Sequence, residues 1–356
     1  MNEIERLQDV YNLLEDAESK DIYLNRLNFL ITKDYRYIRH IIETHVPGLT
    51  TLNQSSILNL LSFLPKDKPI LLYGAGEDAK ANLHYFEKDA RFSGFCDRDP
   101  QKQTEGVCGY PVRSPEELIA EDTDSSIVIS THRGLAEIRR FLQTNGVDEK
   151  RIHAMSSNMF CIEPGQYFNP DFMWFEEQEV FIDAGSKDLK TAKELSRYTE
   201  KLKKVYAFEP DPDNYKECLR NREWFGQSVV EVIPYGTWSE KKTLYFDATA
   251  DGFSHVTGSG GLRIQVLPID DAVRTEERVT FIKMDVEGSE LESLKGARNM
   301  ILRDRPKLAI CMYHKAEDMI NLPLYIKSLV PEYKLYVRHH SNGAGETVLY
   351  AMPEKR

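Results

Sequence analysis

The chain has 356 residues, a length that corresponds to two or three domains, each able to bury its own core. Its formal net charge of -11 excludes the basic face that a nucleic-acid partner requires. No apolar run approaches the ~20 residues of a membrane span, and the acidic, amphipathic MNEIERLQDV is no signal peptide. Cys96, Cys108, Cys161, Cys218 and Cys311 have neither CxxC nor metal spacing, so the chain reads as a cytoplasmic protein with reduced thiols and no metal site.

Residues 1–64 read as an N-terminal helical segment. Ile4, Leu7, Val10, Tyr11 and Leu14 recur at helical spacing, and Ile22 to Ile42 carries a similar pattern. Pro47-Gly48 marks a break before a short helix from Ser55 to Phe63. Amphipathic helices of this kind pack on their own chain, cap a substrate or build a homo-oligomer.

Residues 65–155 read as a Rossmann-like α/β unit. Pro69 to Tyr73 is a strand, and Gly74-Ala75-Gly76-Glu77-Asp78-Ala79 after it fits G-x-G-x-x-G/A. Asp97 ends the next strand, near the spacing of a ribose-binding acid. Ile127 to Ser130 is a third strand and Gly134 to Thr144 the helix after it. Two readings stand: a second nucleotide at Gly74–Asp97, or glycines that merely allow tight helix–sheet packing. Glu77 and Asp78 offset the pull of the helix start on a pyrophosphate. His132-Arg133 either contacts a phosphate or is solvated.

Residues 156–178 form an aromatic-rich linker with Phe160, Tyr167, Phe168, Phe172, Trp174 and Phe175, suited to interdomain packing or to lining a substrate pocket.

Residues 179–356 form the C-terminal unit. Val180-Phe181-Ile182 is a buried strand broken by Asp183-Ala184-Gly185. Lys187 to Lys203 is rich in helix formers, with Leu189, Ala192, Leu195 and Leu202 as its buried stripe. Val205 to Phe208 is the next strand, ending on Glu209-Pro210. Ligands of an open parallel sheet bind outside the carboxyl ends of its strands. There Gly185 lets a ligand approach the backbone, and Glu209 can accept from both hydroxyls of a ribose. The spacing also admits a dinucleotide. A first turn with one glycine, and the acid Asp183 facing the ligand, favour the cationic S-adenosylmethionine.

Asp211 and Pro212 open a helix to about Asn221. The Val229 to Ile233 strand ends at a turn that sets Tyr235 and Thr237 beside an adenine, or is a plain strand end. Lys242 to Asp247 and Arg263 to Asp270 alternate as strands. Gly252 to Gly261 between them, with His255, reads as a mobile loop over the site. Thr280 to Glu290 is a buried strand running into Asp285, Glu287 and Glu290. Asp285 and Glu287 should face the reactive end of the cofactor, where a carboxylate takes a proton from an attacking hydroxyl or helps hold a divalent cation. Alternatively, Glu287 and Glu290 satisfy the first turn of the helix. His314, after the Lys307 to Met312 strand, is the candidate general base. Ile320 to Val330 is a helix, and Tyr333 to Arg338 with Thr347 to Met352 a closing antiparallel pair. Arg338-His339-His340 meets an anionic substrate or lies in a solvated loop.

EVFIDAG, AFEPDPDNY, FIKMDVEGSELESLKGA and AICMYHKAEDMINLPLYIKSL resemble the FkbM family of S-adenosylmethionine-dependent methyltransferases, over about Gln166 to Met352. The chain is similar to the subgroup with an extra N-terminal nucleotide-binding-like domain. The resemblance implies an α/β class I methyltransferase (Rossmann-like) domain, with a seven-stranded sheet and an antiparallel last strand. It also implies methyl transfer to a hydroxyl of a sugar, glycan or small natural product. Cofactor contacts are implied at Asp183, Gly185, Glu209 and Asp285, and active-site duty near Asp285, Glu287 and His314. Where the family carries a second glycine in the first turn, this chain has Leu189, whose side chain is expected to crowd the methionine end of the cofactor. The rival readings are an NAD-dependent oxidoreductase working from residues 65–155 and a non-catalytic binding protein with a degenerate cofactor site.

Overall fold

The computed structural model describes residues 2–131, 134–155, 161–226, 228–248, 254–257, 262–274 and 276–355. The chain begins with helices α1 (Glu3–Leu13), α2 (Ala17–Thr32), α3 (Tyr35–His45) and α4 (Pro47–Phe63). Asn2 and Glu5 close a reciprocal capping box on α1. The Ile22–Ile42 pattern is divided between α2 and α3, because Lys33 takes a left-handed backbone (φ 57°) and Asp34 caps the next helix at the Arg36 N–H. Pro47 starts α4 instead of breaking a helix, since its missing N–H falls in the first turn where it has no partner to lose.

The chain divides into two units. One comprises Met1–Leu30, Pro164–His340 and Gly345–Arg356; the other comprises Ile31–Glu163 and Ser341–Ala344. The helical start is therefore shared, with α1 and most of α2 in the first unit and α3 and α4 in the second.

In the Ile31–Glu163 unit, α5 (Glu77–Phe86) follows strand β1 (Ile70–Tyr73), and α6 (Pro100–Glu105) follows β2 (Phe92–Cys96). After β3 (Val112–Arg113) come α7 (Pro115–Glu121), β4 (Ser126–Ile129), α8 (Leu135–Thr144) and β5 (Ile152–Ala154). The strands form a parallel sheet in the order β3-β2-β1-β4-β5. β1 shows why the run Ile70-Leu71-Leu72-Tyr73 is apolar throughout. Ile70 and Leu72 enter one buried cluster, with Ile57 and Phe86, while Leu71 and Tyr73 enter another, with Ile127 and Leu142. A strand covered on both faces has no polar side.

The other unit continues with β6 (Gln178–Ala184), α9 (Lys190–Leu195), β7 (Lys201–Phe208), α10 (Pro212–Asn221), β8 (Val230–Ile233) and β9 (Gly236–Thr237). Then come β10 (Lys242–Ala248), β11 (Ser254–Thr257), β12 (Leu262–Leu267), α11 (Ile269–Ala272), β13 (Phe281–Met284), α12 (Glu290–Gly296) and α13 (Arg298–Asp304). β14 (Lys307–Cys311), α14 (Asp318–Leu329), β15 (Lys334–His339) and β16 (Thr347–Met352) close the chain. The main sheet has seven strands in the order β15-β16-β14-β13-β6-β7-β8, with β16 antiparallel to both neighbours. β9 to β12 form a separate four-stranded sheet.

Three expectations change. The helix expected over Lys187–Lys203 is confined to α9, and Leu202 lies on β7; Leu189 is left-handed (φ 63°), and Thr199 turns the chain by donating to the Glu176 carbonyl at 2.6 Å. The aromatic segment belongs to this unit's own core: the Phe168 ring meets Phe281 at 5.6 Å, and Phe172 stacks on Tyr336 at 4.3 Å. Part of the expected mobile loop is strand β11. The rest of that loop, His132-Arg133 and Phe160 lie outside the described residues. Among the described residues, no helix is long and apolar enough to cross a membrane.

Candidate active site

β7, β6, β13 and β14 are consecutive parallel neighbours, with Asp183 in register with Ala207 and Lys283. The residues that follow these strands therefore emerge along one edge. Asp183 has no exposed surface. Its Oδ2 accepts from the Ser186 hydroxyl at 3.0 Å, and its Oδ1 lies 3.2 Å from Lys283 Nζ. Lys283 is buried too, donates to the Gly185 carbonyl at 2.7 Å and sits 5.2 Å from the Tyr167 ring centre. Burial pushes the Asp183 carboxyl up, against the pull of Lys283 and Ser186. Burial disfavours the Lys283 ammonium, but Asp183 and Asp285 outweigh it and hold its pKa above the ordinary value. The sequence reading missed Lys283. Its signal was a lysine inside an apolar strand, because a buried ammonium must be paired.

Gly185 is required by the chain's own backbone. Its φ is 78°, and a Cβ there would sit 1.9 Å from the Asp285 carbonyl oxygen, so the close approach is made by the chain's own backbone. Glu209 is 5% exposed, with Oε2 accepting the Lys187 N–H at 2.8 Å and Oε1 the Asp211 N–H at 2.9 Å. Burial raises its carboxyl in spite of both bonds. Each oxygen keeps a second lone pair, so the group still fits a diol. Tyr235 is half-buried in the turn after β8. The Thr237 hydroxyl is 2.6 Å from the Ser293 hydroxyl, which also donates to the Thr237 carbonyl, so Thr237 ties β9 to α12. The Leu189 side chain is fully buried in the same apolar cluster as Ala192 and Leu195, so it serves the core and does not crowd the strand ends.

The ends of β13 and β14 bring acids around one imidazole. Asp285 Oδ2 accepts from the Tyr167 hydroxyl at 3.0 Å, and its Oδ1 lies 3.5 Å from His314 Nε2. Glu287 Oε2 is 3.6 Å from the same nitrogen. On the other side of the ring, Glu290 Oε1 accepts the Val286 N–H at 3.0 Å and lies 2.9 Å from His314 Nδ1. Burial favours neutral His314, but Glu290, Asp285 and Glu287 together raise its pKa to about 9. The residue offered by the sequence as a base thus holds its proton at neutral pH in the ligand-free protein. Burial would raise the Asp285 carboxyl, but Lys283, His314 and Tyr167 hold it below the usual range. Glu346 takes hydrogen bonds from the Tyr313 hydroxyl at 3.2 Å and from the Gln166 amide. Burial and the charge of Asp285 raise it to about 7. Glu287 and Glu346 both have left-handed backbones (φ 53° and 60°), a strain of about 1–3 kcal/mol each that gathers at functional sites. Tyr167 was named only as one of the aromatic residues suited to a pocket, and Glu346 had no sequence signal, because each reaches the cluster from a distant segment.

Other candidates are used elsewhere. Arg338 is buried and paired with Asp16 at 2.6 Å and Glu18 at 3.3 Å. His339 meets the Thr347 hydroxyl at 2.9 Å and His340 the Tyr350 hydroxyl at 2.7 Å. This trio is neither a solvated loop nor a free anion site. In the Ile31–Glu163 unit, Asp97 accepts the Ala75 N–H at 2.7 Å and the Asp99 N–H at 3.0 Å, and lies 3.3 Å from Lys102 Nζ. The acid expected on a ribose thus fastens the glycine turn to its own sheet.

The sheet order and this edge define a class I methyltransferase fold. Residues 183–341 match the model of the Methyltransferase FkbM domain. The structure is similar to that of methyltransferase FkbM from Methylobacillus flagellatus KT, with a TM-score of 0.50 and 20% identity over 94% of this chain and 99% of that one. In sequence the chain is 31% identical over 131 residues to the hexuronic acid methyltransferase AglP of Haloferax volcanii, covering 35% of this chain and 53% of that protein. It therefore spans about half the length of that curated relative.

Proposed function

We propose that the chain is an S-adenosylmethionine-dependent O-methyltransferase acting on a hydroxyl of a sugar, glycan or small natural product. The observation that carries the reading is that Asp183, Glu209, Asp285 and His314 lie at or just beyond the carboxyl ends of four neighbouring parallel strands in the region that matches the FkbM domain model. A sugar acceptor is supported by the hexuronic acid methyltransferase of Haloferax volcanii.

S-adenosylmethionine, when bound, supplies an electrophilic methyl group on a sulfonium. Glu209 is the partner for its ribose diol, the turn holding Tyr235 borders its adenine, and the buried Asp183 gives its cationic end a carboxylate neighbour. Gly185 and Thr237 keep the adjoining backbone in place. Asp285, Glu287 and His314 then orient the acceptor oxygen for in-line attack. Its proton is released as the new bond to carbon forms, so a carboxylate suffices to receive it. Glu287 takes this task, being the more exposed acid beside His314 (side chain 45% exposed, against 27% for Asp285).

Calorimetry with S-adenosylhomocysteine and NAD in parallel tests the reading. Binding of the first without the second is expected; NAD binding alone overturns it. Asp285→Asn, which loosens the position of the acceptor oxygen, is expected to lower turnover on a hexuronic-acid glycan by about 10²-fold. Unchanged turnover and cofactor affinity would remove Asp285 from the site.

A further inference from the structure

Glu290 has no part in the methyl-transfer reading, yet it is the most deeply buried acid beside His314, without exposed surface at the start of α12. Its Oε1 is pinned by the Val286 N–H at 3.0 Å and stands 2.9 Å from His314 Nδ1. The opposite ring nitrogen, Nε2, lies 3.5 Å from Asp285 Oδ1 and 3.6 Å from Glu287 Oε2. Both distances exceed the about 2.7–3.2 Å of an ordinary N–H···O bond. The short contact is therefore on the buried side of the ring, and the long ones are on the side of the more exposed acids. Two further acids bear on this region, Asp318 in the first turn of α14 and Glu346 before β16. Burial, with the charge of Glu290 on the one and of Asp285 on the other, raises both to about 7. Among the groups that hold the proton on His314 against burial, Glu290 acts most strongly, ahead of Asp285 and Glu287.

We propose that Glu290 is a positioning residue for methyl transfer: it fixes the His314 ring through Nδ1, so that Nε2–H stands on the side of Asp285 and Glu287 as a donor to the acceptor oxygen. The inference rests on the reading above. Turning the ring would leave a buried carboxylate without its partner, which costs free energy, so the imidazole keeps one orientation as the acceptor enters. An acid behind an imidazole acts in this way wherever the other ring nitrogen meets substrate. The retained proton also keeps His314 from competing with Glu287 for the proton that the hydroxyl releases.

The full chain, carrying isotope-labelled histidine, is titrated by nuclear magnetic resonance, the His314 signal being the one missing from His314→Asn. The parent ring is expected to keep its proton up to about pH 9. Glu290→Gln preserves the shape of the side chain and an acceptor for the Val286 N–H but removes the charge. Its His314 pKa is expected to fall to about 8 or below. Loss of the ring proton then comes at lower pH, so the basic limb of kcat/KM on a hexuronic-acid glycan should move down with it. An acid that merely satisfied the first turn of α12 would lower stability and leave both readings unmoved. A parent His314 that loses its proton below pH 7, or a folded Glu290→Gln chain with unchanged pKa and unchanged limb, overturns the proposal. S-adenosylhomocysteine binding is read separately on the same samples and is expected to agree within about threefold. Its absence from both, with the His314 shift as stated, counts against the methyl-donor reading and leaves the hold of Glu290 on the ring standing.

Discussion

Leu189 holds a branched side chain on a left-handed backbone (φ 63°) while being fully buried. The two facts act in opposite directions. The conformation costs an L-residue roughly 1–2 kcal/mol that glycine would not bear. Removing a buried leucine side chain costs about 2–5 kcal/mol, according to how far the cavity closes. Packing outweighs strain, so Leu189→Gly is expected to lower unfolding free energy by about 1–3 kcal/mol in urea titration. Because the side chain lies in the core, affinity for S-adenosylhomocysteine should stay within about threefold. A more stable glycine variant would show that the strain had been undervalued, and a large gain in affinity would restore the crowding expected from sequence.

At the scale of elements, two ion pairs behave differently because water reaches one and not the other. Lys307 opens β14 with no exposed surface, 2.7 Å from the equally buried Glu179 on β6 and 4.6 Å from the Trp174 ring centre. Burial lowers the lysine pKa against the pull of Glu179. Lys307→Met strands the Glu179 carboxylate and is expected to cost about 3–5 kcal/mol, whereas adding Glu179→Leu should recover most of that loss. Denaturant titration of the two single variants and the double variant decides it; a double variant no better than the singles refutes it. Asp16, before α2, is instead about one-third exposed and pairs with Arg338 on β15. Burial pushes its carboxyl up, but Arg338 and Ser19 prevail and lower it to about 2. A depressed carboxyl stabilises the fold above its unfolded pKa of about 3.9, and the gain fades as pH falls toward the folded value. Solvent screening limits it to about 1 kcal/mol. Asp16→Asn should therefore be less stable than the parent chain at pH 6, with the gap closed near pH 2.

At the scale of the molecule, the two larger of the three sheets were legible in sequence, because strands buried on both faces write continuous apolar runs such as Ile70–Tyr73 and Val205–Phe208. Asp285, Glu287 and His314 were legible as a group for the same reason: they stand where such runs stop. What sequence concealed was assembly across distance. Tyr167 reaches Asp285 from the aromatic segment, and Arg338 binds an acid 322 residues away. No local pattern encodes such pairs. The boundary read at residue 179 is one consequence, since the unit bearing the site also takes in Met1–Leu30 and the segment from Pro164. Leu14 bridges to Leu335 beside β15, Ser19 accepts the Val337 N–H at 2.9 Å, and Arg6 donates to Asn321 at 2.7 Å. These contacts cover a sheet edge that would otherwise present unpaired backbone. A fragment of residues 179–356 lacks this cover, the aromatic segment and the Tyr167 hydroxyl. It is expected to show no cooperative unfolding transition and no S-adenosylhomocysteine binding. A fragment of residues 164–356 regains the aromatic anchor but leaves β15 open, so it should unfold cooperatively at a lower urea midpoint than the full chain and aggregate more readily. Equal midpoints for the shorter fragment and the full chain would mean that the N-terminal helices and the aromatic segment add nothing to the sheet they cover.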